Sequence, residues 1–199
     1  MKQQLIKTII ASFLCALVLT LLSTNNVQAR KSLANKWPNK SATVTFYCGI
    51  NGTWALATSA AMSSWNAVKE LTTGNDLVPL VVNTSTSTLS NKIYATTGYT
   101  WLASAIPVAS NGLLTSVGIA INFDYSYATS ASPGHYDMQS LILHELGHAI
   151  GVAHCHEYRD LSCFSTTCNS NVMQPTLSEN ITRRTLQDYD KASKQMTYY

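Results

Sequence analysis

The chain has 199 residues, of which 46% are hydrophobic and 12% charged, and its formal net charge is +3 at pH 7. This length is enough for one domain with a hydrophobic core, and the weak charge is not typical of nucleic-acid or membrane-surface binding. We therefore expect neither a nucleic-acid nor a membrane partner for the folded domain.

The first 29 residues have the pattern of a secretory signal peptide. Lys2 and Lys7 precede an apolar run at residues 9–22, and Val27 and Ala29 supply the small residues that signal peptidase prefers. The pattern predicts cleavage after Ala29 and a secreted, extracellular protein. The alternative is an N-terminal membrane anchor, but a run of about 14 residues is shorter than the ~20 needed to cross a bilayer.

Residues 30–40 are basic and polar, and we interpret them as an arm that leads into a domain at residues 41–199. Residues 41–48 alternate in hydrophobicity, which predicts a β-strand. Residues 53–71 carry apolar side chains at helical spacing and predict a helix with Thr53 as its N-cap. The Trp and Met side chains of this helix indicate a face that packs in the core, not a cofactor site.

Three further segments favour strands. Residues 77–82 are apolar, and Pro79 within them indicates an edge strand or a bulge. Residues 94–110 are rich in Tyr, Trp and Ile and are interrupted by Pro107, so they predict one or two short strands. Residues 117–127 alternate clearly and predict another strand.

The remaining part of the chain predicts two helices separated by a long irregular segment. The first runs from Met138 to Ile150 with Asp137 as its N-cap, and the second covers residues 182–195. The predicted buried side of the second helix consists of Leu186, Tyr189, Ala192 and Met196. Strands that alternate with helices in this order predict an α/β (α+β) fold of mixed layers.

Four cysteines follow the predicted cleavage site, and an even number in an exported chain favours two disulfides. They are Cys48, Cys155, Cys163 and Cys168. If both bridges form, one links Cys48 to the cluster of three and the other closes a loop within the cluster, but three pairings remain open. A thiolate metal site is the alternative, although the chain has no CxxC pair.

The segment at residues 144–154 predicts a metal site. His144 and His148 are four residues apart, so a helix places both rings on one face, where their nitrogens can converge on an ion. Gly151 can end the helix and reverse the chain, which brings His154 back as a third ligand. Three imidazoles and one open position are the ligand set of a catalytic Zn²⁺.

Glu145 follows His144 directly and therefore projects about 100° around the helix from it. A carboxylate there lies near the metal without being a ligand, which suits hydrogen bonding to a Zn-bound water. We predict that Glu145 takes the proton of this water and passes it to the leaving amine, while the ion polarises the scissile carbonyl.

The pattern HExxHxxGxxH at residues 144–154, with the methionine of Asn-Val-Met-Gln-Pro at residues 171–175, resembles that of the metzincin zinc peptidases. Met173 would form the hydrophobic floor beneath the zinc ligands. The strand at 43–46, the Trp65-bearing helix and residues 119–124 make the chain most similar to a bacterial-type matrixin.

The resemblance implies a twisted mixed sheet with an active-site helix and a small C-terminal subdomain. The cleft would lie between residues 41–151 and 152–199, and an extended substrate would pair with the sheet edge at residues 103–109. A specificity pocket would be shaped by residues 173–184. Arg183 and Arg184 are candidates to reach into it, with solvated positions, which are more usual for two adjacent charges, as the alternative.

Several features depart from the matrixin pattern. Cys155 follows the third ligand where matrixins have Ser, and the cysteines near the methionine turn resemble those of reprolysins. Outside the motif, His135 and His156 are too few for a second, structural zinc site. Ca²⁺ is possible by resemblance, but no calcium-binding motif supports it.

The sequence thus predicts a monomeric, secreted zinc endopeptidase that acts on proteins or peptides. A binding protein that retains the scaffold and a zinc hydrolase for another substrate class are the alternatives. Near the motif, Tyr125, Tyr127 and Tyr136 are candidates to line the cleft, with packing roles as the alternative. His156 and Glu157 are candidates to contact the ligands from behind, with exposed loop positions as the alternative.

Overall fold

A computed structural model describes residues 35–155 and 168–199 of the chain. The predicted signal peptide, the first residues of the arm, and the predictions on His156, Glu157 and Cys163 lie outside the described residues. None of the helices in the described part has the length and apolarity needed to cross a bilayer.

The fold is mixed α/β, built on a five-stranded sheet with the order β2-β1-β3-β5-β4. Its strands are β1 (Val44–Cys48), β2 (Leu80–Asn83), β3 (Lys92–Thr96), β4 (Ala103–Ser110) and β5 (Leu113–Asn122). All neighbouring strands are parallel except β4, which runs antiparallel to β5 and forms one edge. The described residues also contain the helices α1 (Gly52–Asn66), α2 (Met138–Ala149) and α3 (Asp188–Thr197). They include as well a small parallel sheet of β6 (Tyr127–Ala128) and β7 (Tyr136–Asp137), and a 3₁₀ turn at Cys168–Ser170.

The core lies where α1 and α2 pack against each other and against the sheet. Trp65 of α1 is fully buried there, and its indole N–H donates to the carbonyl of Leu143 in α2 at 2.8 Å. On the sheet side, Phe46, Ile93 and Ile119 are fully buried. The alternation predicted for β1, and that of Ile119 and Ile121 in β5, therefore marks side chains that pack in this core.

The helix predicted at residues 53–71 is shorter than expected and has a different cap. Asn51, not Thr53, is the N-cap, and its side chain accepts the N–H of Trp54 at 3.4 Å. The helix ends at Asn66, and the predicted last residue, Leu71, is 71% exposed. The side chain of Asn66 explains the end, because it pairs with the backbone N–H and C=O of Leu80 at 2.8 Å each.

The predicted strands are present with shifted bounds. The strand at residues 77–82 is β2, and it lies at a sheet edge as Pro79 indicated. The segment at 94–110 supplies β3 and β4, while β5 begins and ends earlier than residues 117–127. The side-chain amide of Asn122 donates to the carbonyl oxygens of Tyr99 and Trp101, which fixes the chain where β5 ends.

The C-terminal helix is also displaced, because α3 begins at Asp188, not at residue 182. Its predicted buried side is wrong beyond Leu186, since Tyr189 and Ala192 are half-buried and Met196 is 51% exposed. Polar residues are buried instead: Asp190, Ser193, Lys194 and Thr197. Each has a hydrogen-bond partner, so a polar face can be buried here without unsatisfied groups.

Cys48 has a free thiol that is buried at the end of β1, with its Sγ 3.8 Å from the hydroxyl of Thr58. The predicted bridge from Cys48 to the cysteine cluster is therefore wrong, because the side chain points into the core against α1. Cys155 is 1% exposed. The predicted bridge within the cluster depends on residues 156–167, which lie outside the described residues.

Candidate metal centre

Helix α2 begins at a tightly held cap. Asp137 accepts the backbone N–H of Ser140 at 2.8 Å and its hydroxyl at 2.5 Å, as the sequence predicted for an N-cap. Arg184 pairs with the same carboxylate, and its Nε lies 3.0 Å from Asp137 Oδ1. Burial opposes the ionised form, but the hydrogen bonds from Arg184 and Ser140 outweigh it and lower the pKa of Asp137.

The other end of α2 is closed by a Schellman motif. The N–H of Gly151 donates to the carbonyl of His148 at 2.9 Å, and the N–H of Val152 donates to the carbonyl of Gly147 at 2.9 Å. Gly151 has φ +85°, and a Cβ on it would lie 2.8 Å from the carbonyl oxygen of Asn35. Glycine is therefore required twice at this reversal, by its backbone angle and by the close approach of the arm.

The reversal brings the three predicted histidines together. The Nε2 atom of His144 lies 3.1 Å from that of His148 and 3.1 Å from that of His154, and the His148 and His154 atoms are 2.9 Å apart. Nitrogens bound tetrahedrally to zinc at 2.0–2.1 Å are about 3.3 Å apart. The spacing differs from this by a few tenths of an ångström, so the group can hold a metal ion and is compatible with zinc.

Two of the rings are oriented by backbone carbonyls. The Nδ1 atom of His144 lies 2.8 Å from the oxygen of Val172, and that of His148 lies 2.8 Å from the oxygen of Val152. A carbonyl can only accept, so both rings donate from Nδ1, and in the neutral form their Nε2 atoms carry lone pairs. Burial lowers the pKa of His144 to about 3, which favours this neutral form.

Two Nε2 lone pairs that face each other at 3.1 Å repel unless a cation lies between them. The donor set therefore fits a cation better than it fits a hydrogen-bonded histidine cluster. This is the strongest evidence for a metal at this site.

Glu145 lies beside the triad and is only 5% exposed. Its carboxylate accepts the backbone N–H of Ala105, which belongs to the edge strand β4. Burial raises the pKa of Glu145 to about 7, and the Ala105 N–H partly offsets that rise. A carboxyl group with a pKa near neutrality can both accept and return a proton.

Met173 packs beneath the helix between the ligands. A Cβ added to Gly147 would clash with Met173 Sδ and would lie 2.9 Å from both Met173 Cε and Trp65 Cζ2. The methionine sits in a turn in which the N–H of Gln174 donates to the carbonyl of Asn171. The fully buried Asp190 of α3 holds the turn by accepting the N–H groups of Val172 and Met173, each at 3.1 Å.

Residues from both ends of the described chain contact the last carbonyls of α2. The indole N–H of Trp37 donates to the oxygen of Ala149 at 2.9 Å, and the hydroxyl of Tyr198 donates to the oxygen of Ile150 at 2.9 Å. These carbonyls have no partner within a helix, so the two side chains close its C-terminal end. The reversal that delivers His154 is thereby fixed from outside the motif.

Two cavities adjoin the site. One, of about 410 Å³, lies between the triad, Pro175 and the edge strand β4. The other, of about 340 Å³, extends from His144 and Glu145 to Arg183. Tyr125 and Tyr136 line the second cavity, whereas the hydroxyl of Tyr127 lies 2.7 Å from the carbonyl of Asn122 and does not line it.

Sequence reasoning thus found the histidines, Glu145 and Met173, which the structure brings together. It missed Asp190, the N–H of Ala105, and the capping contacts of Trp37 and Tyr198. Asp190 lies in the first turn of α3, but in the middle of the helix predicted at residues 182–195, so its role had no signal in the sequence. The others depend on tertiary contacts that no local pattern contains.

Comparison with known proteins adds no further identification. The chain matches no protein-family model, and a search of curated proteins gives no significant match.

Proposed function

We propose that this protein is a secreted zinc-dependent endopeptidase of the metzincin type. The observation that carries the proposal is the convergence of three Nε2 atoms within 3.1 Å of one another. A buried carboxylate from the same helix lies next to them. Three neutral imidazoles, an adjacent general base and a cleft along a sheet edge are the parts that peptide hydrolysis needs.

His144, His148 and His154 would hold the ion. When bound, zinc supplies Lewis acidity and a water of lowered pKa. Glu145 receives the proton of the attacking water and returns it to the leaving amine. Glu145 lines the same cavity as the three histidines, so its carboxylate is placed for this proton transfer.

The edge of β4 supports binding of an extended peptide. Alternate residues of an edge strand direct their N–H and C=O groups away from the sheet. The N–H of Ala105 points outward to Glu145, so Ala103 and Pro107 present their backbone on the same side. Ala103 can offer both donor and acceptor, Ala105 offers its carbonyl while its N–H donates to Glu145, and Pro107 offers only its carbonyl. A substrate strand would pair here beside the triad.

The metzincin assignment is supported by three features around the triad. The chain reverses at Gly151, Met173 packs against Gly147, and the cleft adjoins the segment at residues 171–177. Secretion rests on the pattern of residues 1–29, which predicts that the folded enzyme is released after Ala29.

The proposal is tested with exported protein purified from culture medium. We expect about one zinc per chain by elemental analysis, cleavage of casein and of a quenched peptide library, and loss of both activities with a chelator. Mass spectrometry of the released chain checks cleavage after Ala29. Stoichiometric zinc without peptide hydrolysis would contradict the endopeptidase and favour a binding protein or a hydrolase for another substrate class.

A further inference from the structure

Two adjacent arginines behave differently at the cavity next to Glu145. Arg184 pairs with the buried carboxylate of Asp137, so its charge is neutralised away from the cavity. Arg183 lines the cavity, and its Nη1 donates to the backbone carbonyl of Thr176. Its backbone N–H is fixed separately, by donation to the hydroxyl of Ser140 at 2.7 Å.

No carboxylate of the described residues lies within 4.0 Å of Arg183. A guanidinium has five N–H donors, and the carbonyl of Thr176 accepts from one nitrogen. Burial lowers the pKa of Arg183, which reflects the loss of water around the charge. Nearby Cys155 opposes this shift, but among the described residues the partly desolvated cation has no carboxylate partner, a costly arrangement that a ligand carboxylate would relieve.

The walls of the cavity are suited to the apolar part of such a ligand. Trp101, Leu141, Val172 and Leu177 contribute to a volume of about 340 Å³. They can contact the methylene groups of a long acidic side chain while its carboxylate reaches Arg183. The other ionisable groups lining the cavity are Glu145, His144 and the phenols of Tyr125 and Tyr136, and a cation held by the histidines would offset the charge of Glu145.

We propose that Arg183 makes this cavity select substrates with an acidic side chain, glutamate above all, next to the scissile bond. The inference rests on the proposed peptidase function, because it assigns the substrate class of that site. Arg183 acts by binding the substrate and takes no part in proton transfer.

Selectivity is tested with quenched peptides that differ only at one residue flanking the scissile bond. The residues compared are Glu, Gln, Leu and Lys, with one series for each side of the bond. A charge-assisted hydrogen bond predicts that Arg183→Met lowers the Glu-to-Leu ratio of kcat/KM by about 10- to 100-fold. Arg183→Lys should keep part of the ratio, and Arg183→Glu should favour Lys.

Lys191→Met is the matched control, since Lys191 is an exposed cation of α3 that pairs with Asp188 and lines neither cavity at the triad. This variant should leave the Glu-to-Leu ratio unchanged. Equal ratios in the wild type and Arg183→Met would overturn the proposal. Zinc content and the midpoint of thermal unfolding are measured for each variant. Zinc content should stay at the wild-type value, and the midpoint should change little, because the Arg183 substitutions keep the backbone contact to Ser140 and remove only the bond to the Thr176 carbonyl.

Binding measured without turnover separates this inference from the peptidase function. Zinc-loaded Glu145→Gln protein is titrated by calorimetry with the Glu and Leu peptides, alone and combined with Arg183→Met. Tighter binding of the Glu peptide that is lost in the double variant supports the inference even if the wild type cleaves no peptide. Equal affinities for the two peptides in Glu145→Gln would refute it even if the wild type is an active peptidase.

Discussion

Helices α2 and α3 both adjoin the candidate metal centre, but they bury opposite kinds of side chain. Among the buried residues of α2, Met138–Ala149, most are apolar and Glu145 is the one that carries a charge. The buried residues of α3 are all polar or charged: Asp190, Ser193, Lys194 and Thr197. The first helix is held mainly by removal of apolar surface from water, and the second by directional hydrogen bonds.

The difference separates two uses of a buried charge. Asp190 accepts three backbone N–H groups, from Val172, Met173 and Gln187, and Lys194 donates to the carbonyl of Trp65 at 2.7 Å. Both side chains are therefore committed to holding the fold. Glu145 accepts one backbone N–H and faces a cavity, so its charge remains available for chemistry. Substitution of Glu145 should therefore lower the catalytic rate, whereas substitution of Asp190 or Lys194 should change the free energy of unfolding.

The largest effect is expected for Glu145→Gln. The amide cannot accept the proton of the attacking water, so kcat on a quenched peptide should fall by about a thousandfold or more. The free energy of unfolding should stay constant or rise slightly, because the substitution removes a buried carboxylate that burial disfavours.

Zinc content by elemental analysis and a urea unfolding curve accompany the rate measurement for Glu145→Gln. Wild-type activity in this variant would show that Glu145 is not the general base. A variant that loses both zinc and stability would mean that this buried charge of α2 is structural, as on α3.

The opposite pattern is expected for Asp190→Ala. Its loss leaves three backbone donors without their acceptor, which should lower the free energy of unfolding by about 3 kcal/mol. The methionine turn would lose its anchor, so zinc affinity should fall as well. Competition with a chromogenic chelator measures the affinity, and Asp188→Ala, an exposed site on the same helix, is the control. If Asp190→Ala changed the free energy of unfolding no more than Asp188→Ala does, hydrogen bonds would not be what holds α3.

Gly147→Ala tests the packing of α2 on the methionine. The new methyl group would overlap Met173 and approach Trp65, and overpacking of this kind costs about 1–3 kcal/mol. Met173→Ala in the same chain should relieve part of this cost, which a double-mutant cycle in urea detects. Additive costs would mean that the two residues do not press on each other.

The contrast between the helices also explains what the sequence could predict. Apolar spacing and the cap at Asp137 locate α2 with an error of one residue at its end. This works because the buried face of α2 is apolar, and apolar residues at helical spacing are visible in the local sequence. The same rule placed Met196 in the core, but Met196 is 51% exposed. The rule fails on α3 because apolar spacing cannot show that buried polar side chains find hydrogen-bond partners far away in the sequence. The convergence of the three histidines was predictable because the spacing of His144 and His148 and the glycine reversal are local. The N–H of Ala105 was not, because it approaches Glu145 only through the antiparallel edge of the sheet.

At pH 7 the smallest effect is expected for Lys194→Met, and this effect grows as the pH rises. Burial lowers the pKa of Lys194 to about 7, with Lys69 adding to the shift and Asp76 opposing it. In the unfolded chain the pKa is about 10.4, so between about pH 7 and pH 10 the unfolded chain holds a proton that the folded chain has released. The contribution of Lys194 to the free energy of unfolding therefore rises with pH in this window, by at most about 1.4 kcal/mol per unit.

Methionine has similar length and no charge, so unfolding in urea at pH 6.5 to 9.5 should show the difference between wild type and variant changing in favour of the wild type. The free energy of unfolding of Lys191→Met should run parallel to that of the wild type over the same pH range. Parallel curves for Lys194→Met would mean that this lysine stays charged in the folded protein, and that α3 holds a buried cation by the carbonyl of Trp65 alone.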